Sequence, residues 1–114
     1  MIASTLSIDC SKIRDWAIFH SEFAAVFGFP AFYGKNMNAW IDCMTSLDQP
    51  EDKMTTIHAA QGHVLTMQLE NVVSFREHYP ELYAAIIESA AFVNWRRLEV
   101  GEPAVLAISF RNET

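Results

Sequence analysis

Three short apolar segments, separated by stretches with helical periodicity, constrain the fold of this chain most. Residues 2–8 alternate between apolar and polar positions, residues 64–69 are nearly continuously apolar, and residues 104–110 form an apolar run of strand length. These patterns indicate β-strands, half-buried in the first case and fully buried in the last. Two helical stretches separate each consecutive pair, which predicts parallel strands joined by right-handed crossovers. We therefore expect an α/β fold, a three-stranded parallel sheet packed with helices.

The first crossover opens with a helix whose two ends are marked in the sequence. Asp15 is a suitable N-cap, and Gly28 is a suitable helix terminator. Between them apolar residues recur at helical spacing, which predicts a stripe that faces the core. This stripe consists of Trp16, Phe19, Phe23, Val26 and Phe27, and His20 beside it is interpreted as a partly packed histidine.

A tight turn and a shorter helix follow. Pro30 ends the preceding helix, and Gly34 suits a sharp reversal because it adopts a positive φ without steric cost. Asn36 is a good N-cap for the helix that begins after it. One face of this helix is apolar and is expected to pack on the core, through Met37, Trp40, Cys43 and Met44.

The opposite side of this second helix carries polar and acidic side chains. Asn38 and Asp42 lie four residues apart, so they share that side. We expect an exposed cluster on a well-anchored helix, although an ordinary solvated helix face has the same periodicity. The residues around the pair are Phe32, Tyr33, Ile41 and Thr45.

Residues 32–45, Phe-Tyr-Gly-Lys-Asn-Met-Asn-Ala-Trp-Ile-Asp-Cys-Met-Thr, resemble the signature of the barstar family, intracellular inhibitors of the ribonuclease barnase. In that family an aromatic pair, a glycine and an asparagine lead into a short helix that ends in an aspartate-cysteine pair. The order of strands and helices agrees as well, so the resemblance extends over the chain. It implies a single barstar-like domain over residues 1–114, which blocks a ribonuclease active site with an acidic helix and loop.

The resemblance also implies roles for individual residues. Asp42 would occupy the substrate phosphate position and face the enzyme's basic side chains, while Phe32 would take the place of a contact tyrosine. Gly34 and Asn36 would shape the loop, and Glu88 would supply a second acidic contact from a later helix. The expected partner-binding residues are Phe32, Tyr33, Gly34, Asn36, Asn38, Ile41, Asp42, Thr45 and Glu88.

Four positions depart from the most familiar family pattern. Asn38 stands in place of an aspartate, Ile41 in place of a contact tryptophan, and Lys35 in place of an acidic residue. Phe32 lacks the hydroxyl of a tyrosine. These changes favour a ribonuclease or toxin domain less basic than barnase, for which the chain would be an immunity protein. The alternative is an interaction module of the same fold whose partner is not a nuclease.

The charge of the chain narrows the class of partner. Its 114 residues carry a formal net charge of −6, whereas binding to nucleic acid requires a basic surface. An acidic protein is suited to a basic one, so we expect a basic ribonuclease or nuclease toxin as partner and no nucleic acid. The sequence shows neither a signal peptide nor an apolar run near the ~20 residues that cross a bilayer. We therefore expect a cytoplasmic monomer without membrane association.

No convincing catalytic or cofactor site is present in the sequence. The four histidines and the two cysteines, Cys10 and Cys43, show no metal-ligand spacing, and there is no phosphate-binding glycine loop or nucleophile elbow. We expect no enzyme activity, no cofactor and no metal, with both cysteines reduced. A weak metal site at His58 and His63 is the alternative to a solvated loop.

The second half of the chain begins with a long connection. Residues 47–62 lack strong periodicity and are expected to be functional or mobile. Asn71 is predicted to cap a short helix, and Pro80 to begin a longer one. The core stripe of the longer helix is Leu82, Ile86, Ala90 and Val93, and the adjacent Arg96 and Arg97 are expected to pair with nearby carboxylates.

Overall fold

The computed structural model describes residues 1–112, so the last two residues of the expected 1–114 unit lie outside it. Its strands and helices follow the predicted order, and the α/β class is confirmed. The elements are β1 (Thr5–Asp9), α1 (Trp16–Phe27), α2 (Met37–Thr45), β2 (Leu65–Glu70), α3 (Val72–His78), α4 (Pro80–Glu99) and β3 (Leu106–Arg111). Short 3-10 turns lie at Cys10–Lys12 and Pro50–Asp52.

The three strands form one parallel sheet in the order β1-β2-β3. Central strand β2 alternates between buried and partly buried residues, with Leu65, Met67 and Leu69 on the buried side. The expectation of a fully buried third strand is wrong, because Phe110 is 56% exposed. Strand β3 is an edge strand with a neighbour on one side only, and its burial decreases along its length.

The predicted helix faces form the core. Phe19, Phe23 and Phe27 of α1 are fully buried, and the ring of Phe23 meets that of Trp40 from α2 edge-on, with 5.6 Å between centroids. Burying a large apolar side chain of this kind stabilises the fold by about 1.5–3 kcal/mol. Trp16, at the first position of α1, is 43% exposed and does not join the buried stripe.

Gly28 ends α1 in the left-handed region, with φ 71°, as its place in the sequence predicts. It also allows a close approach of the 47–62 connection, because a Cβ at this position would lie 1.8 Å from Thr56 Oγ1. The carbonyl of the preceding Phe27 accepts backbone hydrogen bonds from the amides of Thr56 and Ile57. The end of α1 is therefore fixed to the connection.

Backbone hydrogen bonds hold the 47–62 connection within itself and to the first residues of the chain, whereas its expected function or mobility stays a prediction. The amide of Ala59 donates to the carbonyl of Leu47, and that of His58 donates to the carbonyl of Met1. Ile2 forms an isolated bridge with His58, so the first residues pair with the connection and β1 begins at Thr5. The periodicity of the sequence did not indicate these contacts, because the hydrogen bonds join residues far apart in the sequence.

Asn71 precedes α3 as predicted, but its side chain makes no capping hydrogen bond. Its backbone is left-handed, with φ 56°, and its Nδ2 donates to Asp9 Oδ1 at 3.1 Å. The residue therefore ties the ends of β1 and β2 together instead of capping the helix. Over residues 1–112, none of the helices has the length and apolar character that a membrane span requires.

Candidate functional site

Helix α2 is started by local hydrogen bonds of Asn36. Its Oδ1 accepts from the amide of Ala39 at 2.8 Å, and its Nδ2 donates to the carbonyl of Gly34 at 3.3 Å. The N-cap prediction is confirmed, but the positive φ predicted at Gly34 falls on Lys35, with φ 53°. Asn36 holds the turn through its side chain, and the left-handed residue is the one directly before the cap.

The inner face of α2 is held rigidly. Trp40 and Met44 are fully buried, and Cys43 is 1% exposed. Burial, followed by the negative charge of Asp42, raises the pKa of the Cys43 thiol to about 11. The thiol is therefore protonated at neutral pH and is not an activated nucleophile. Cys43 and Cys10 are both free and buried.

The two aromatic residues ahead of α2 have different environments. Phe32 is 76% exposed, as expected, whereas Tyr33 is only 9% exposed. The Tyr33 hydroxyl lies 2.6 Å from His20 Nδ1, and its ring lies 4.7 Å from that of Phe29 between centroids. The expectation that Tyr33 belongs to the exposed cluster is thus corrected, because its hydroxyl finds a partner inside the fold.

Burial controls the protonation of this inner pair. Desolvation raises the pKa of Tyr33 well above its usual value. Desolvation, and secondarily the charge of Lys35, lowers the pKa of His20. Both groups therefore remain neutral at pH 7, and the tautomer of the imidazole sets which of the two donates the hydrogen bond between them. The pair positions the loop that presents Phe32.

Asp42 lies on the outer side of α2, with its side chain 57% exposed. Its Oδ1 accepts a hydrogen bond from Arg96 Nη1 of α4 at 3.1 Å. The carboxylate is exposed as predicted, and Arg96 is paired as predicted. The carboxylate that pairs with Arg96 is that of Asp42. The contact connects the outer side of α2 to the neighbouring helix.

The other expected contact residues are exposed to different degrees. Asn38 and Glu88 are exposed, whereas Ile41 and Thr45 are partly buried. Ile41 packs against the core, and the Thr45 hydroxyl donates to the Ile41 carbonyl at 2.6 Å. Glu88 lies eight residues before Arg96 on α4, which is about 12 Å along a helix axis. The outer side of α2 is thus polar, with an acidic side chain farther along α4.

A buried ion pair lies beneath the C-terminal end of α2, and the sequence indicated neither its burial nor the carboxylate that takes part. Arg97 is 1% exposed, and its Nη1 and Nη2 donate to the two carboxylate oxygens of Asp48 at 3.0 and 2.8 Å. Nη1 also donates to the carbonyl of Thr45 at 2.7 Å, and Nε donates to the carbonyl of Pro103 at 2.8 Å. The expected pairing of Arg97 is observed, but the pair is a buried structural element that joins α2, the connection and α4.

The connection also reaches the outer side of α2. A recess of about 420 Å³ is lined by Asp42, Thr45, Ser46, Asp52, Met54 and Arg96. Asp52 and Met54 belong to the 47–62 connection, and nothing in their local sequence indicated that they lie beside α2. The recess carries two carboxylates and one guanidinium.

The described residues offer little for metal or nucleophilic chemistry. Within residues 1–112, no group of three or more histidine, cysteine, aspartate or glutamate side chains is placed to hold a metal ion. His58 Nδ1 lies 3.3 Å from Thr55 Oγ1, within the connection. What the arrangement does provide is an exposed carboxylate on a rigid helix, which suits contact with another protein.

Comparison with known proteins places the chain in a family. A search of curated proteins gave no match. A family model described as "Barstar (barnase inhibitor)" matches residues 3–105. The matched region contains every residue from Phe32 to Glu88 that was expected to contact a partner. Because this match spans most of the chain and agrees with its parallel three-stranded sheet, the chain belongs to the barstar family of barnase inhibitors.

Proposed function

We propose that this protein inhibits a ribonuclease by covering the enzyme's active site with the outer side of α2 and the loop before it. The observation that carries the proposal is the placement of Asp42, an exposed carboxylate on a short helix whose inner face is buried. Membership of the barstar family supports an inhibitory role at the level of the family. The protein would act as a monomer in the cytoplasm and would need neither a cofactor nor nucleic acid.

The physical chemistry of Asp42 fits an enzyme that binds phosphate. A carboxylate accepts paired hydrogen bonds from an arginine guanidinium much as a phosphate group does. Because Trp40 and Met44 anchor the helix, the backbone beneath the carboxylate loses little conformational freedom on binding. The net charge of −6 would also accelerate the approach of a basic partner.

The exposed residues favour a partner that is less basic than barnase. Phe32 in the loop presents an exposed apolar ring, Asn38 one turn before Asp42 presents a neutral amide, and Lys35 adds a positive charge before the helix. Glu88 would add an acidic contact at the edge. We propose a toxin-associated ribonuclease as the partner and the role of an immunity protein for the chain. In this account Tyr33, Gly34 and Asn36 shape the loop, and Ile41 and Thr45 lie at the margin of the contact.

Calorimetric titration with a panel of ribonucleases, from strongly basic barnase to less basic toxin domains, tests the proposal. Asp42→Ala should weaken binding at least about tenfold, because removing one member of an interfacial charge pair costs roughly 2–5 kcal/mol or more. Glu77→Ala, an exposed carboxylate on α3, is the control for the change of net charge. The melting temperature of both variants should remain close to that of the wild type.

Three outcomes would contradict the proposal. If Asp42→Ala binds a confirmed partner as well as the wild type does, the inhibitory surface lies elsewhere. If the substitution unfolds the protein, Asp42 is structural. If the protein binds no ribonuclease in the panel but captures a partner that does not cleave RNA, the chain is an interaction module of the same fold.

A further inference from the structure

The carboxylate assigned to the partner is already paired within the chain. Arg96 Nη1 lies 3.1 Å from Asp42 Oδ1, and the two side chains are 40% and 57% exposed. Arg96 comes from α4, so the contact depends on the packing of α4 beside α2. An arginine or lysine of a ribonuclease that approaches Asp42 therefore meets a guanidinium at the same oxygen.

The surroundings of Arg96 favour its position beside Asp42. Arg96 and Asp42 line one recess together with Asp52 from the 47–62 connection. The ion pair to Asp42 is the contact that holds the guanidinium, and the buried side chain of the neighbouring Arg97 fixes this end of α4. The positive charge of Arg96 thus offsets part of the negative charge of the recess, although the chain as a whole is acidic.

We propose that Arg96 is a specificity-determining residue that competes with the partner's cation for Asp42. This inference depends on the proposed function. A strongly basic active site would face like charge from Arg96, which weakens the encounter. A favoured partner would carry an acidic side chain beside its arginine or lysine. Arg96 would then pair with that acidic side chain when the partner's cation binds Asp42. Arg96 thereby selects a ribonuclease with a mixed-charge active-site rim over a uniformly basic one.

The test measures inhibition of barnase, a strongly basic ribonuclease, by Arg96→Gln at moderate and high salt. The variant should bind about threefold to tenfold more tightly than the wild type, because an exposed ion pair no longer competes and a like charge is removed. Arg76→Gln on α3 makes the same change of net charge away from this surface and should change affinity less than about twofold. Thermal melting confirms that each variant is folded.

A double-mutant cycle shows whether the effect passes through Asp42. In the Asp42→Ala background, Arg96→Gln should lose its advantage and give only the small effect of Arg76→Gln. Suppose that the wild type inhibits barnase and that the affinity of Arg96→Gln for barnase is no higher than that of Arg76→Gln, or is lower. This inference is then overturned, while the proposed function stands. An advantage that persists without Asp42 would also overturn it. If neither the wild type nor Arg96→Gln inhibits barnase, the inference fails, and the panel of ribonucleases decides the proposed function separately.

Discussion

Replacing Asp48 by alanine should destabilise the protein more than any exposed carboxylate substitution would. The guanidinium of Arg97, 1% exposed, donates hydrogen bonds to both oxygens of Asp48. Its remaining bonds go to the carbonyls of Thr45 and Pro103. Asp48→Ala would therefore leave a buried cation with two backbone acceptors. Among residues 1–112 the remaining carboxylate paired with it would be Glu102, whose Oε2 is 3.9 Å from Nη1.

The size of this effect follows from the burial of the arginine. Removing one member of a buried ion pair costs about 3–5 kcal/mol, because the other charge is left uncompensated. Glu102 compensates in part, since its side chain is 36% exposed and solvent screens its charge. We therefore expect a loss near the lower limit, about 3 kcal/mol. The whole free energy of unfolding of a domain is about 5–15 kcal/mol, so this is a large fraction.

Urea unfolding followed by tryptophan fluorescence measures the loss, since Trp40 is fully buried. With a urea dependence of about 1–3 kcal/mol per molar, the midpoint should fall by roughly 1–3 M. Asp52→Ala is the matched control, because it removes an exposed carboxylate from the same connection and should change stability by about 0.5 kcal/mol or less. A loss below about 1 kcal/mol for Asp48→Ala would refute the argument that the pair holds α2 to α4.

Three further predictions concern order, pH and charge. Amide hydrogen exchange should be slow from Thr56 to Ala59, because each of these backbone N–H groups donates a hydrogen bond, and fast exchange there would indicate a mobile connection. Burial lowers the pKa of His20 in the folded state. The neutral imidazole therefore stabilises the fold fully above the unfolded pKa of about 6.5, and this stabilisation decreases as the pH falls toward the folded pKa. The urea midpoint should therefore fall between pH 7 and pH 5 by less in His20→Gln than in the wild type, and an equal fall would contradict this. Asn38→Asp, which adds a carboxylate one turn before Asp42, should strengthen binding to barnase, and unchanged or weaker binding would show that Asn38 lies outside the contact.

Much of the structure that local chemistry determines was predictable from the sequence, although the positive φ expected at Gly34 and the helix cap expected from Asn71 were wrong. Asp15 and Asn36 cap their helices with the hydrogen bonds expected of them, and Gly28 ends α1 in the left-handed region. These features depend on residues within a few positions of each other. The alternation of strands and helical pairs likewise predicted the parallel sheet, because crossover connections leave few other topologies.

The parts that were missed depend on contacts between distant residues. Asp42 and Arg96 are separated by 54 positions, and Asp48 and Arg97 by 49, so no local pattern relates them. Tyr33 appeared equivalent to Phe32 until the fold placed its hydroxyl against His20. The exposure of Phe110 follows from the edge position of β3, which an apolar run does not reveal.

Steady-state kinetics of RNA cleavage test the central claim most directly. The assay uses the ribonuclease that the protein binds most tightly in the calorimetric panel, at several RNA concentrations and increasing amounts of the protein. If α2 and its loop cover the active site, the inhibition is competitive, so the apparent inhibition constant rises with RNA concentration and Asp42→Ala raises it at least about tenfold. A complex that forms but still cleaves RNA, or inhibition that does not depend on RNA concentration, would contradict the claim.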